Sequence, residues 1–124
     1  MKKILVADDE PDIVDTLKIR LEAADFEVIT AYDGLEALNK AREEQPDLII
    51  LDVMLPKLDG FQVSRLIKFD EKYSGTPILM LTAKTQEKDK VTGLKMGADG
   101  YITKPYDPQE LLRTVRSLLH MEDM

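Results

Sequence analysis

The chain has 124 residues, room for one domain and not two. It has no cysteine, which removes disulfides, thiolate metal sites and thiol nucleophiles, and its 44% apolar content can fill a core without such staples. With 24 acidic residues against 17 basic ones the net charge is −7, a balance that opposes direct contact with nucleic-acid phosphates.

The first apolar run, Ile4–Ala7, follows Met-Lys-Lys and resembles the opening of a secretory signal until Asp8, Asp9 and Glu10 end it. That is too short for a signal core, and no later stretch approaches the ~18 apolar residues of a membrane helix. A soluble, cytoplasmic chain is expected, with this run as a strand. Pro11 then sits where a first helical turn tolerates it, and Ile13, Val14, Leu17, Leu21 and Ala24 line one helical face. Val28–Ala31 reads as a second strand. Asp33 with Glu36 resembles a capping box, and Leu35, Leu38 and Ala41 form the face of the helix it opens.

Leu48–Leu51 is apolar without alternation, as a strand covered on both faces must be. Phe61, Leu66 and Ile67 crowd a third helix, and Ile78–Leu81 repeats the uninterrupted strand pattern. The segment Gln86–Met96 carries few large apolar residues (Val91, Leu94, Met96) and is interrupted by Gly93, so it predicts a weakly anchored helix. Tyr101–Thr103 is the last strand. Asp107, Pro108 and Glu110 resemble a further capping box before the strongest stripe, Leu111, Leu112, Val115, Leu118 and Leu119.

Strands alternating with helices predict an α/β domain, a parallel sheet doubly wound by helices on both faces. Ligands of such sheets sit beyond the carboxyl ends of the strands. Here those ends carry Asp8, Asp9 and Glu10 after the first strand, Asp52 after the third, Thr82 and Ala83 after the fourth, and Lys104-Pro105 after the fifth. If the first and third strands are neighbours, Asp8, Asp9 and Asp52 converge, and three carboxylates that close require a cation. Oxygen-only ligands select a hard ion such as Mg2+. A carboxylate beside it can act as a nucleophile for phosphoryl transfer, with Lys104 and Thr82 available to phosphoryl oxygens. Taken singly, each residue has a plainer reading: Asp8, Asp9 and Asp52 as turn formers, Glu10 as a capping acid, Thr82 as a β-branched strand residue, Lys104 as a solvated edge lysine.

Taken together, Ile-Leu-Val-Ala-Asp8-Asp9-Glu10, Leu-Ile-Ile-Leu-Asp52-Val-Met-Leu-Pro56, Asp59-Gly60, Pro-Ile-Leu-Met-Leu-Thr82-Ala83, Gly97-Ala98-Asp99-Gly100-Tyr101 and Lys104-Pro105 resemble the receiver domains of bacterial two-component response regulators. The resemblance spans essentially the whole chain and implies a single receiver domain over 1–124. Its fold would be flavodoxin-like, five parallel strands ordered 2-1-3-4-5 with five helices.

By the same resemblance Asp52 is the phosphoacceptor. Mg2+ would be held by Asp9, Asp52 and the backbone carbonyl of Met54, with Asp8 acting through water. Thr82 and Lys104 would contact the phosphoryl group, and Pro105 would follow a cis bond. Thr82 and Tyr101 would form the switch, read out on the surface of the fourth helix, fifth strand and fifth helix. Met54 and Lys84 would tune phosphoryl lifetime; neither can orient an attacking water, so self-dephosphorylation is expected to be slow.

The implied partners are a histidine kinase or histidine phosphotransfer protein upstream and a protein target or effector domain downstream. The chain is then not an enzyme beyond promoting its own phosphorylation and dephosphorylation. His120, near the C-terminus, reads as a helix-end cation and not a phosphocarrier. Receivers of winged-helix transcription factors dimerise through charged pairs. This chain keeps Lys90, Asp99 and Glu110 but has Gly100 and Thr114 where an acid and an arginine would pair. A monomer or weak phosphorylation-dependent dimer is expected.

Three rivals remain. A Mg2+-dependent aspartyl-phosphate phosphatase would carry Asp-x-Asp on its first strand, whereas Asp8 and Asp9 are adjacent. A flavin or nucleotide module would need a phosphate-accepting loop where Asp-Asp-Glu stands. A receiver-like module that binds partners without phosphate would have no need of the acids, Thr82 and Lys104 together.

Overall fold

The five apolar runs form parallel strands: β1 (Lys3–Ala7), β2 (Glu27–Ala31), β3 (Leu48–Leu51), β4 (Ile78–Thr82) and β5 (Gly100–Thr103). They alternate with α1 (Pro11–Ala23), α2 (Gly34–Glu44), α3 (Gly60–Lys68), α4 (Glu87–Lys95) and α5 (Pro108–Leu118). This computed structural model describes residues 1–121. Among them no helix is long and apolar enough to cross a membrane. The sheet order is β2-β1-β3-β4-β5, the flavodoxin-like winding expected from the resemblance. The chain leaves β1 for one edge, returns to β3, and continues to the other edge, so a crevice opens at the carboxyl ends of β1 and β3.

Strand periodicity divides the core into two layers. Leu5, Ile49, Ile78 and Met80 pack with Ala37, Leu38, Ala41, Val63 and Ile67 on the side of α2 and α3. Ile4, Val6, Leu48, Ile50, Leu79 and Leu81 pack with Leu17, Leu21, Leu111 and Val115 on the side of α1 and α5. Every residue of β3 and β4 is buried, which is why neither run alternates with polar residues.

Helical faces depart from the sequence reading where small residues replace large ones. α2 buries Gly34, Ala37, Leu38 and Ala41, whereas Leu35 is exposed. The cause is close approach: a Cβ on Gly34 would stand 1.8 Å from the Leu58 carbonyl oxygen. α3 likewise buries Gly60, Val63, Ser64 and Ile67, leaving Leu66 exposed and Phe61 partly covered. In α5 only Leu111 and Val115 of the stripe are fully buried. α4 buries Gly93 alone and matches the weak anchoring expected of it.

The helix starts differ in detail. Asp33 accepts from the Glu36 N–H, but the Glu36 carboxylate reaches back to the N–H of Tyr32, one residue beyond the cap. Asp107 accepts from the Gln109 N–H, and Glu110 takes no part in the cap. The complete reciprocal box lies at Asp59 and Gln62. Pro11 opens α1 behind Glu10, whose side chain makes no capping bond. The Lys104–Pro105 peptide bond is cis.

Candidate functional site

Ala7 pairs with Leu51, so Asp8 and Asp52 leave adjacent strands at the same level. Backbone hydrogen bonds carry the pairing past the strand ends: Asp8 N–H donates to Ala31 and Asp52 N–H to Ala7, at 3.1 and 3.0 Å. The first residue of α3 presses on the same peptide. A Cβ on Gly60 would lie 2.2 Å from the Asp52 carbonyl oxygen, so glycine is required for the helix to start there. On the far side Thr82 pairs with Thr103, and the Lys104 N–H donates to the Thr82 carbonyl.

From that position the Lys104 ammonium donates to Asp8 Oδ2 at 2.7 Å and to Asp52 Oδ2 at 3.0 Å. The lysine side chain is 14% exposed and the two carboxylates 3% and 5%. The remaining oxygens are also engaged: Asp8 Oδ1 accepts from the Glu10 N–H and Asp52 Oδ1 from the Met54 N–H, both at 3.0 Å.

Burial alone would lower the Lys104 pKa, but the hydrogen bonds and charges of Asp8 and Asp52 outweigh it and hold the ammonium above its usual value. Burial pushes the Asp8 carboxyl up, and the nearby Asp52 charge adds to that; Lys104 and the Glu10 N–H oppose it. One ammonium serving two buried carboxylates leaves an excess of negative charge. Asp9 and Glu10, both exposed, add to it: their ligand oxygens lie within 4.8 Å of each other and of Asp8. The donors are all oxygens and the charge is uncompensated, so the residues fit a hard divalent cation.

Thr82 is fully buried, and its Oγ1 accepts from the Lys84 N–H at 3.3 Å. The Tyr101 hydroxyl donates to the carbonyl of the same Lys84 at 2.8 Å. Burial, then the charges of Asp89 and Asp52, push the Tyr101 phenol up to about 12. Met54 and Lys84 are exposed at the rim, lining one cleft with Ala83, Thr85, Gln86 and Asp89. The fold thus gathers Asp8, Asp52 and Lys104 directly, sets Asp9 beside them, and keeps Thr82, Met54 and Lys84 within the same edge.

Two contributors escaped sequence reading: Gly60 holds α3 against Asp52, and the main chain of Lys84 links Thr82 to Tyr101. Glu10, read with the acidic pair and singly as a capping acid, makes no capping bond and joins the acid cluster. The remaining charged positions lie elsewhere. His120 shares a cleft with Lys2, Asp47, Pro77 and Asp99 at the opposite edge of the sheet. Asp99 is occupied within the fold, bonding Lys68 and the Ile78 N–H at 2.8 Å each.

Residues 4–116 match the family model of the response regulator receiver domain. This chain belongs to that family. The receiver is 53% identical over 123 residues to the alkaline phosphatase synthesis transcriptional regulatory protein PhoP of Bacillus subtilis, covering 99% of this chain and 50% of that protein. It is 48% identical to the DNA-binding dual master transcriptional regulator RpaA of Synechocystis, covering 99% of this chain and 51% of the relative. The receiver therefore spans about half the length of these curated relatives. Among solved structures, the chemotaxis protein CheY4 of Vibrio cholerae superposes with a TM-score of 0.89 at 40% identity, over 95% of this chain and 98% of that one. The domain is that of a two-component response regulator and not a classical enzyme. Receiver domains are typically Mg2+-dependent phosphorylation switches.

Proposed function

We propose that the chain, read as one receiver domain over 1–124, is switched by a phosphoryl group taken onto Asp52. The donor is a phosphohistidine of a histidine kinase or histidine phosphotransfer protein. An Asp52 carboxylate oxygen attacks phosphorus, the P–N bond breaks, and the imidazole leaves with the bonding pair. Lys104 is already hydrogen-bonded to Asp52 and follows the charge onto the phosphoryl oxygens. Thr82 Oγ1 serves the Lys84 N–H only as an acceptor, which leaves its proton for a phosphoryl oxygen.

Mg2+, when bound, would offset the negative charge on the phosphoryl and carboxylate oxygens. Asp9, Asp52 and the Met54 carbonyl would hold it. Asp8, by the resemblance, would act through water. The observation that carries the reading is the single ammonium shared by Asp8 and Asp52 at the ends of adjacent strands.

Movement of Thr82 toward a phosphoryl group would disturb the Lys84 peptide and hence the Tyr101 hydrogen bond. The signal emerges on α4, β5 and α5, for a separate protein target or an effector domain, in the cytoplasm. Asp99 is engaged by Lys68, and Gly100 and Thr114 cannot form charged pairs, so the receiver is monomeric or dimerises weakly on phosphorylation. Met54 and Lys84 leave no group to orient water, and self-dephosphorylation is slow.

Intact mass after treatment with acetyl phosphate and Mg2+ tests the core of this. One added phosphoryl group is expected in the parent and none in Asp52→Asn. Equal labelling of both, or of neither, overturns the assignment. A phosphoryl half-life of seconds at neutral pH without a phosphatase overturns the lifetime reading alone.

A further inference from the structure

α4 is fastened unevenly. Its N-terminus has no side-chain cap, and its only buried residue is Gly93. At the C-terminal end the fully buried Ser64 of α3 donates to the Met96 carbonyl at 2.8 Å. The face that meets the sheet is therefore a glycine, in a helix whose other residues are half-buried or exposed. Gly93 does not need the conformational freedom of glycine, since Gly97 is the glycine with positive φ. Glycine also weakens a helix interior relative to alanine.

Its use is space. A Cβ at 93 would stand 3.2 and 3.3 Å from Cδ2 and Cε2 of Tyr101, and 3.6 Å from Cε1 of Phe61. The first two are tighter than a methyl group over a ring allows without movement. The ring is not free to yield sideways, because its hydroxyl is held on the Lys84 carbonyl.

We propose that Gly93 is a positioning residue, leaving beneath α4 the space that the Tyr101 ring fills and so holding the phenol on Lys84. A methyl group at 93 makes the ring or α4 give way by a few tenths of an ångström, which loosens either the phenol's hold on that carbonyl or the seat of α4 on the sheet. The inference rests on the reading of Tyr101 as the switch residue for its functional consequence, but the packing is testable without any phosphoryl donor.

The test uses the full chain as parent, Gly93→Ala, Tyr101→Ala and the double variant. In Gly93→Ala, nitration of Tyr101 by tetranitromethane, mapped by peptide mass, rises several-fold, while Tyr32, Tyr73 and Tyr106 serve as unchanged internal standards. Its melting temperature does not rise, although alanine is the better helix former. In the Tyr101→Ala background the same methyl meets no ring, and the melting temperature increases. Equal increases in both backgrounds, with unchanged nitration of Tyr101, overturn the proposal.

Should Gly93→Ala alone fail to fold, folding of the double variant supports the steric account, and failure of both overturns it. Beryllofluoride binding then reads the coupling: several-fold weaker for Gly93→Ala than for the parent, but equal for Tyr101→Ala and the double variant. Equal binding by all four removes the positioning role. Loss of Asp52 labelling in the parent would instead indict the phosphorylation reading, leaving the nitration and melting results to stand.

Discussion

β3 and β5 border the same site yet are built differently. All four residues of β3 are buried, and the Asp52 peptide that follows it is wedged between Ala7 and Gly60. β5 buries Ile102 alone, its neighbour α4 buries one glycine, and the Tyr101 phenol is held by a hydrogen bond to one carbonyl. On the proposed function, Asp52 and the cation ligands need fixed positions, which dense packing supplies. A readout element needs the opposite, an alternative arrangement within a few kcal/mol, and sparse contacts supply that. Between them Lys84 links β4 to β5: its N–H donates to the Thr82 hydroxyl oxygen and its carbonyl accepts from the Tyr101 hydroxyl.

The largest effect should separate them directly. Ile50, buried in β3, should cost about 4 kcal/mol when cut to alanine, the usual penalty for a cavity in a packed core. Leu94, 58% exposed on α4, should cost no more than about 0.5 kcal/mol. Urea titrations of both variants check this. Comparable losses would mean that α4 is integral to the core and that the contrast is false.

A second prediction concerns charge. Lys104→Met removes the ammonium from two buried carboxylates and should destabilise the Mg2+-free domain by about 3 kcal/mol. Added Mg2+ should restore more stability to this variant than to the parent, because the ion then replaces the only cation the pair had. Unfolding curves in chelator and in Mg2+ give both numbers. A variant as stable as its parent in chelator would show that the carboxylates carry no mutual strain.

These contrasts bear on what the residues alone made legible. The strands could be read because burial on both faces demands apolar runs without alternation, and Leu48–Leu51 and Ile78–Leu81 have them. The edge residues followed, since each sits immediately past a run. The 2-1-3-4-5 order came from family resemblance and not from any residue pattern. Helical faces were misjudged at Leu35 and Leu66 because large apolar residues were counted, whereas the buried faces also use small ones, Ala37 and Ser64, and close approach demands Gly34 and Gly60. The capping box at Asp59 was overlooked behind its glycine, although Gln62 stands at the required spacing. The Lys84 link was invisible in principle: it uses main-chain atoms, which every residue has.

The smallest prediction contrasts how the two peripheral helices begin. α2 opens on Asp33, whose carboxylate accepts from the Glu36 N–H and lies 3.5 Å from Lys57, whereas α4 opens on Gln86 with no side-chain cap. The Glu36 N–H, aided by Lys57, holds the Asp33 carboxyl below its ordinary 3.8. A carboxyl whose folded-state pKa is depressed binds protons less readily than in the unfolded chain. Its contribution is therefore complete above pH 3.8 and disappears as pH falls through the folded-state value. Asp33→Asn keeps a capping oxygen but no charge, so the melting temperatures of parent and variant should differ by a constant small amount from neutral pH downward and converge only below 3.8. Salt should shrink the gap and draw the pH of convergence up toward 3.8, since screening at this solvent-open site weakens the Lys57 attraction that helps depress the carboxyl. Convergence nearer neutrality would assign the effect to another group and leave α2 no better anchored at its start than α4.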